Sequence, residues 1–507
     1  MSVVKIGWAK RDISTTEPVN INGQAYLRIS EGIHDPIYVT ALCIDGGEGQ
    51  DAVVFVSCDV TSIHPQVWTV MQEKLPKVAP HIPLSSVVLN ATHTHSSSAT
   101  FNTEAKSPDG KDIYPGEKYR EFFTDKICEA IVEAWDNRKE GGIAYGYGYA
   151  VVAHSRRSIY MEDQATPDIL SLAPNGRGVM YGATNKESFS HYEAGADHFV
   201  NVMFTLDEND KLTGMIINVP CPSQVSECFL KLSADYWCEV RKGVAKEYGE
   251  DVFVLPQCGA AGDLSPRILH YGKAQRRRFR VKYDLDYNLT GTKPGFNEER
   301  YKKIMGERYD IAERILSAVR DVHSWALKEI YRDIPVRHVA ENVPLTRRVI
   351  TDEDAARCKE IMAELETIQP DPNEMSDVDY RKVMSRKRSV YNRNVRALDR
   401  YELLKTEPRK VYPLYVTQIG PVAFAFNPFE LYMDFMHRIQ ARSPFVQTFV
   451  CQLAGGGGSS YLPTRRGIEN KGYSASIYCN QIGPEGGQEL VEFTLEKLNE
   501  MKEKDEL

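Results

Sequence analysis

The 507-residue chain contains no run of about 18 apolar residues, so no membrane-spanning segment is expected. It contains no Cys-x-x-Cys pair. Its 10 cysteines, at 43, 58, 128, 221, 228, 238, 258, 358, 451 and 479, form no disulfide framework, and reduced thiols in a cytoplasmic compartment are the expectation. The start, Met1-Ser2-Val3-Val4-Lys5, passes directly into a strand-like pattern and lacks the apolar centre of a signal peptide. Positive charge is not in surplus either: 62 Lys and Arg stand against 70 Asp and Glu, a net charge of −8. Nucleic acid is therefore not the expected partner, because neutralising phosphates needs an excess of Lys and Arg. Also missing are a Gly-x-Ser-x-Gly nucleophile elbow and a Gly-Lys-Ser/Thr phosphate loop.

What is present is the composition of an ordinary globular protein, 42% hydrophobic and 26% charged, enough to bury a large core. One basic run, Arg276-Arg277-Arg278-Phe279-Arg280-Val281-Lys282, reads as a solvated face or an ion-pair region. The terminal Lys504-Asp505-Glu506-Leu507 spells a retention address that is read only in the secretory lumen, and is taken here as the charged end of a helix.

Short β-branched runs at Val39–Ile44, Ala52–Ser57 and Ser85–Asn90, with helical spacing over His64–Val78, suggest a mixed layer of strands and helices. Residues 117–138 read as a helix, Ile143–Val152 as a strand, and Phe199–Phe204 with Leu212–Val219 as a hairpin. A further strand is expected at Val252–Leu255. From 297 to 408 two charged stretches carry apolar residues at helical spacing, broken by Pro370-Asp371-Pro372-Asn373. Strands return at Leu414–Ile419, Val422–Phe426 and Phe445–Val450. The expectation is a mixed α/β (α+β) fold: one large strand-rich catalytic domain over 1–507, with an inserted or appended helical block at about 297–408.

Four clusters could carry chemistry. Asn90-Ala91-Thr92-His93-Thr94-His95-Ser96 follows a strand, and in extended backbone His93 and His95 would point into one cleft as metal ligands or acid–base groups. Gln257-Cys258-Gly259-Ala260-Ala261-Gly262-Asp263-Leu264-Ser265-Pro266-Arg267 has small residues that let backbone approach a ligand, with Gly262 and Asp263 as substrate contacts. Asn427-Pro428-Phe429-Glu430 could place Glu430 at a cleft mouth. Ala454-Gly455-Gly456-Gly457-Gly458-Ser459-Ser460-Tyr461-Leu462-Pro463-Thr464 is followed by Tyr473, twelve residues beyond Tyr461.

Taken in order, His-x-His, Gly-Asp-Leu-Ser-Pro, Pro-Phe-Glu and Tyr-Leu-Pro-Thr resemble the neutral/alkaline (non-lysosomal) ceramidase family. The resemblance starts at Gly7-Trp8-Ala9-Lys10-Arg11-Asp12-Ile13 and includes Gly32-Ile33-His34-Asp35-Pro36-Ile37-Tyr38. It implies a zinc amidase that splits an N-acyl bond, as in ceramide. It implies zinc on His93, Glu430 and Tyr461, proton exchange by His95, and carbonyl polarisation by Arg157 of Arg156-Arg157-Ser158. Tyr473 would be the second tyrosine of the site and Ser265 the serine of Gly-Asp-x-Ser-Pro. The family's fourth ligand is a histidine of an Asn-x-x-x-His-Pro element. The matching segment here, Ile217-Asn218-Val219-Pro220-Cys221-Pro222-Ser223-Gln224, has no histidine, and Cys221 is the candidate replacement.

The family's export signal and C-terminal β-sandwich are not expected in this chain, and no amphipathic apolar helix suited to a bilayer is evident. A polar small-molecule substrate is therefore expected rather than a membrane lipid, with no stable membrane association. Whether the chain forms a homo-oligomer is left open. A sugar-cleaving hydrolase or lyase using His95, Arg157 and Tyr473, and a non-catalytic binding protein with a decayed metal site, stand as alternatives.

Overall fold

A computed structural model describes residues 3–165, 168–171, 176–285, 298–458 and 460–505. Met1-Ser2, position 297 at the start of the expected helical block, Ser459 of the glycine loop and Glu506-Leu507 lie outside the described residues.

Two sheets face each other. The larger has eight strands in the order Phe253–Cys258, Leu212–Val219, Phe199–Asp207, Lys139–Tyr149, Lys5–Asp12, Tyr38–Asp45, Ala52–Cys58, Val87–Ala91. The smaller has four, Val336–Thr346, Arg409–Ile419, Val422–Phe426 and Gln447–Cys451. Period-2 apolar residues on facing strands build the interface between them. Phe55 sits 5.0 Å from Phe424 and 5.1 Å from Phe426 (ring centroids), in one apolar cluster with Leu42, Val88, Ile216 and Leu255. Helices cover the outer faces: Pro65–Val78, Gly116–Asp136, Tyr236–Tyr248 and Glu298–Ala326 on the large sheet, Met433–Arg442 and Pro484–Glu503 on the small one. The mixed α/β class is as expected from sequence, arranged as helix, sheet, sheet, helix.

The large sheet is joined at its middle by only two residue pairs, Lys5–Glu140 and Ile6–Lys139. Beyond them it splays. Trp8 fills the gap, stacking on Phe253 at 5.4 Å and donating to Thr205. The two edge strands thereby approach each other, and Asn90 Nδ2 donates to the Pro256 carbonyl at 3.2 Å.

Within the two large sheets three strand pairs are parallel: Ala52–Cys58 with Val87–Ala91, Leu212–Val219 with Phe253–Cys258, and Val422–Phe426 with Gln447–Cys451. Their C-terminal ends meet. Gln452 N donates to Cys258 O at 2.9 Å, Ala91 N to Leu453 O at 3.2 Å, and Asn218 Nδ2 to Val450 O at 3.0 Å. Segments leaving those ends are consequently gathered at one place, as in other open sheets whose ligands sit at the carboxyl ends of strands.

The stretch 297–408 is not purely helical. It holds the helices Glu298–Ala326, Asp352–Glu366 and Asp377–Leu404, but also the strand Val336–Thr346, paired along its length with Arg409–Ile419. That strand alternates only weakly and carries Pro344, so its charged, half-exposed face hides the pattern. The last two helices form a hairpin whose second arm lies over the cleft: Arg381 pairs with Asp109, and Ser389 Oγ donates to Ala25 O at 3.0 Å. The basic run belongs to the helix Gly272–Lys282, where Arg278 and Lys282 pair with Asp310. Among the described residues, no helix is long and apolar enough to cross a membrane.

Candidate active site

Where the strand Val87–Ala91 ends, the chain turns sharply. His93 has φ 63°, a left-handed conformation that costs a non-glycine residue roughly 1–3 kcal/mol and needs support from its surroundings. His93 and His95 do face one cleft, their ring centroids 4.8 Å apart and edge-on, but this turn rather than strand alternation brings them together. Gly23, at φ +103°, passes against His95; a Cβ there would lie 2.5 Å from the imidazole.

The His93 Nδ1–H donates to Thr61 O at 2.7 Å, so Nε2 is the ring atom turned toward the cluster. That Nε2 is buried, has no hydrogen-bond partner, and faces Glu430 Oε2 at 3.4 Å. Glu430 reaches this point from the segment after Val422–Phe426, fixed by parallel pairing of Glu430-Leu431 with Tyr461-Leu462. The same pairing sets the Tyr461 phenol beside the carboxylate. Burial pushes the Glu430 carboxyl up, but His93, Arg156 and a hydrogen bond from Tyr461 prevail and hold it at about 2. Burial keeps the Tyr461 phenol well above its ordinary value, against the pull of Arg156.

The arginine in this cluster is Arg156. Its Nη2 donates to Gly262 O at 2.9 Å and Tyr461 Oη at 3.1 Å, and lies 3.4 Å from Glu430 Oε2. Arg157, expected to polarise the substrate, points to the opposite side. It forms a fully buried fork with Glu193, at 2.6 and 3.0 Å, and donates to Gly467 O, Lys471 O and Ser474 Oγ. Adjacent residues of extended chain face opposite ways, so a choice displaced by one residue lands on the wrong face.

His95 is held by two side chains that sequence reading missed. Its Nε2 is 2.8 Å from Gln224 Nε2, and its Nδ1 is 3.4 Å from Glu227 Oε2. Glu227 also pairs with Arg267 and accepts from Gln24 at 2.8 Å. Burial pushes His95 down to about 4, so the ring is neutral at neutral pH; Glu227, despite burial, is held at about 2 by His95 and Arg267. Gln224 closes the segment that lacks the ligand histidine and Glu227 follows it shortly after; no spacing pattern marks them.

Cys221 is not brought to the cluster. Its Sγ lies 3.6 Å from both Val152 O and Pro222 O, and burial raises the thiol well above its ordinary value, the opposite of what a thiolate ligand needs. His191 and His198 are exposed and also remote from it. Asp263 is buried and accepts from Met433 N at 3.0 Å, at the start of the helix Met433–Arg442, with its pKa raised to about 6 by burial. Gly262 contributes its carbonyl to Arg156, and a Cβ on it would lie 2.3 Å from Glu430 O, so glycine is required for this approach. Ser265 is fully buried and its hydroxyl accepts from Arg267 N at 3.1 Å. Tyr473 stands beside Tyr461, centroids 5.9 Å apart.

Above the cluster opens a cavity of about 520 Å³, lined by His95, Arg156, Tyr181, Gln224, Glu227, Arg267, Arg386, Tyr461 and Tyr473 among others. Its wall mixes charged groups with apolar ones, among them Leu170 and Met180. Among the described residues no three His, Cys, Asp and Glu side chains are placed to hold a metal ion. The cluster offers two such donors, His93 and Glu430, and adds the Tyr461 phenol. Two ligands each about 2.0–2.2 Å from one tetrahedral ion lie about 3.3–3.6 Å apart. The His93–Glu430 separation of 3.4 Å, with His93 Nε2 making no hydrogen bond, therefore suits a shared cation.

Comparison with known proteins bears on the fold and on the first third of the chain. Residues 4–165 match the family model described as neutral/alkaline non-lysosomal ceramidase, N-terminal. No curated protein sequence matches the chain. In fold, the chain is similar to neutral ceramidase from Pseudomonas aeruginosa, with a TM-score of 0.64 and 17% identity over 99% of this chain and 75% of that one. A ceramidase complexed with C2 is similar too, at a TM-score of 0.62 and 16% identity over 99% of this chain and 76% of that one. Residues 4–165 thus resemble that family, and the chain as a whole shares the fold of these ceramidases.

Proposed function

We propose that the chain is a hydrolase that cleaves an amide (N-acyl) bond in a polar small molecule, using a divalent cation, zinc in the first instance, on His93, Glu430 and Tyr461. The observation that carries this reading is the buried His93 Nε2, without a partner and 3.4 Å from the ionised Glu430. When bound, such a cation supplies Lewis-acid polarisation and lowers the pKa of water from 15.7 to about 7.

The chain's own groups have separate tasks. Arg156, anchored on Gly262 O, is positioned to donate to a carbonyl oxygen as it gains charge, with Tyr473 beside it. His95, neutral and backed by Glu227, takes a proton and returns it to the departing nitrogen. Gln224 orients the ring by its contact with Nε2. The charged side chains on the cavity wall, Arg156, Glu227, Arg267 and Arg386, support a polar ligand, and ten free thiols suit the reducing cytoplasm.

The test is product release from zinc-loaded protein given short N-acyl amines, N-acyl amino acids and aryl glycosides. Amine release from the N-acyl compounds is expected. Release from glycosides alone would transfer the site to carbohydrate chemistry. No release from either, with His93→Ala leaving ligand binding and stability unchanged, would mark a binding protein.

A further inference from the structure

The cleft has a second lobe. A cavity of about 650 Å³ lies beneath the helix Asp377–Leu404 and shares Glu430, Tyr461 and Tyr473 with the reactive cluster. Its wall carries four cations, Arg347, Arg396, Arg400 and Lys410, and two acids, Asp399 and Glu430. Glu430 already lies 3.4 Å from both His93 Nε2 and Arg156 Nη2, and Asp399 is exposed.

Among the described residues, Arg396, Arg400 and Lys410 make no ion pair with a carboxylate within 4.0 Å. Arg400 donates instead to the carbonyls of Asn480 at 2.7 Å and Ile477 at 2.6 Å, and Lys410 to the side-chain oxygen of Gln481. Arg347 meets only the exposed Glu407, at 3.5 Å. The concentration of charge is felt: burial, then Arg347 and Arg400, push Lys410 down to about 8, and burial also lowers Arg400. Gathering partly buried cations with so little counter-charge is unfavourable unless an anion completes the group. Guanidinium forks suit the planar oxygens of carboxylate, sulfate and phosphate.

We propose that this lobe binds an anionic oxygen group, carboxylate, sulfate or phosphate, on the molecule whose reacting bond lies at His93, Glu430 and Tyr461. The substrate is then an anionic N-acyl compound. The anion site stands on its own geometry; calling its ligand a substrate rests on the hydrolase reading. Tyr461 and Tyr473, common to both lobes, link the anion site to the reacting bond.

Titration calorimetry with inorganic sulfate, inorganic phosphate and acetate tests the site directly. Arg396 is exposed and makes no side-chain hydrogen bond, and Lys410→Gln keeps a donor, so the double variant Arg396→Gln/Lys410→Gln is expected to fold. It should bind at least one of these anions about tenfold more weakly than the unaltered chain, while Arg386→Gln in the other lobe binds unchanged. No anion binding by the unaltered chain, or equal binding by the double variant, overturns the proposal. In the kinetic arm, the double variant should raise KM for an N-acyl amino acid and leave KM for its carboxamide alone. Failure to cleave any N-acyl compound would sink the hydrolase reading, and the calorimetry would still decide the anion site.

Discussion

Arg156 and Arg157 differ in the chain only by position, yet one touches the reactive cluster and the other an internal carboxylate. Arg157→Gln leaves Glu193 buried and unpaired, and should cost about 3–5 kcal/mol in chemical denaturation. Arg156→Gln should lower kcat about 10²–10³-fold on whichever substrate is cleaved, with a smaller loss of stability. The reverse pattern would return the catalytic role to Arg157. His93 makes a second case. With its backbone at φ 63°, His93→Gly should be about 1 kcal/mol more stable than His93→Ala, read as a difference in denaturation midpoint. Equal stability would mean that the turn carries no strain. The two histidines were legible as a pair because both residues stand in one short motif. Gln224 and Glu227 were not, because they reach His95 from a separate loop more than a hundred residues away.

At the scale of elements, most strands and helices were readable from apolar periodicity. Val422–Phe426 forms over the expected residues, and Pro65–Val78 starts within one residue of the expected helix. The strand Val336–Thr346 escaped because its partner, Arg409–Ile419, fixes it through backbone pairing, while polar Arg337, Glu341 and Asn342 and Pro344 interrupt its apolar residues. The helix Glu298–Ala326 also does more than cover a sheet. From it, the fully buried Arg308 joins Asp35 at 2.9 Å and Glu239 at 2.7 Å, tying the helix Tyr236–Tyr248 to the loop after the first strand. Burial pushes the Asp35 carboxyl up, but His34, Arg308 and Ser233 bring it down to about 2. A depressed carboxyl stabilises the fold above its unfolded pKa, about 3.9, and that contribution is lost as pH falls through about 2. Arg308→Met should therefore unfold at lower denaturant by about 3–5 kcal/mol at pH 7, with the difference shrinking in acid. A difference independent of pH would show that the Asp35 pairing contributes nothing.

Across the whole molecule, chemistry-bearing residues from His93 to Tyr473 converge because parallel strand ends of two facing sheets meet there. The order of motifs disclosed that the whole length serves one cleft. It did not disclose the second sheet's place opposite the first, which depends on Phe55 meeting Phe424 and Phe426 far along the chain. Nor could it show that Cys221, aligned with a ligand position, turns its sulfur toward two carbonyls. The central claim is that His93, Glu430 and Tyr461 hold a divalent cation without Cys221. Metal content per chain, measured on the unaltered protein, Cys221→Ser and Glu430→Gln after equilibration with zinc, tests it most directly. The account predicts about one ion in the first two and a loss in the third; loss in Cys221→Ser, or no ion in the unaltered chain, would contradict it.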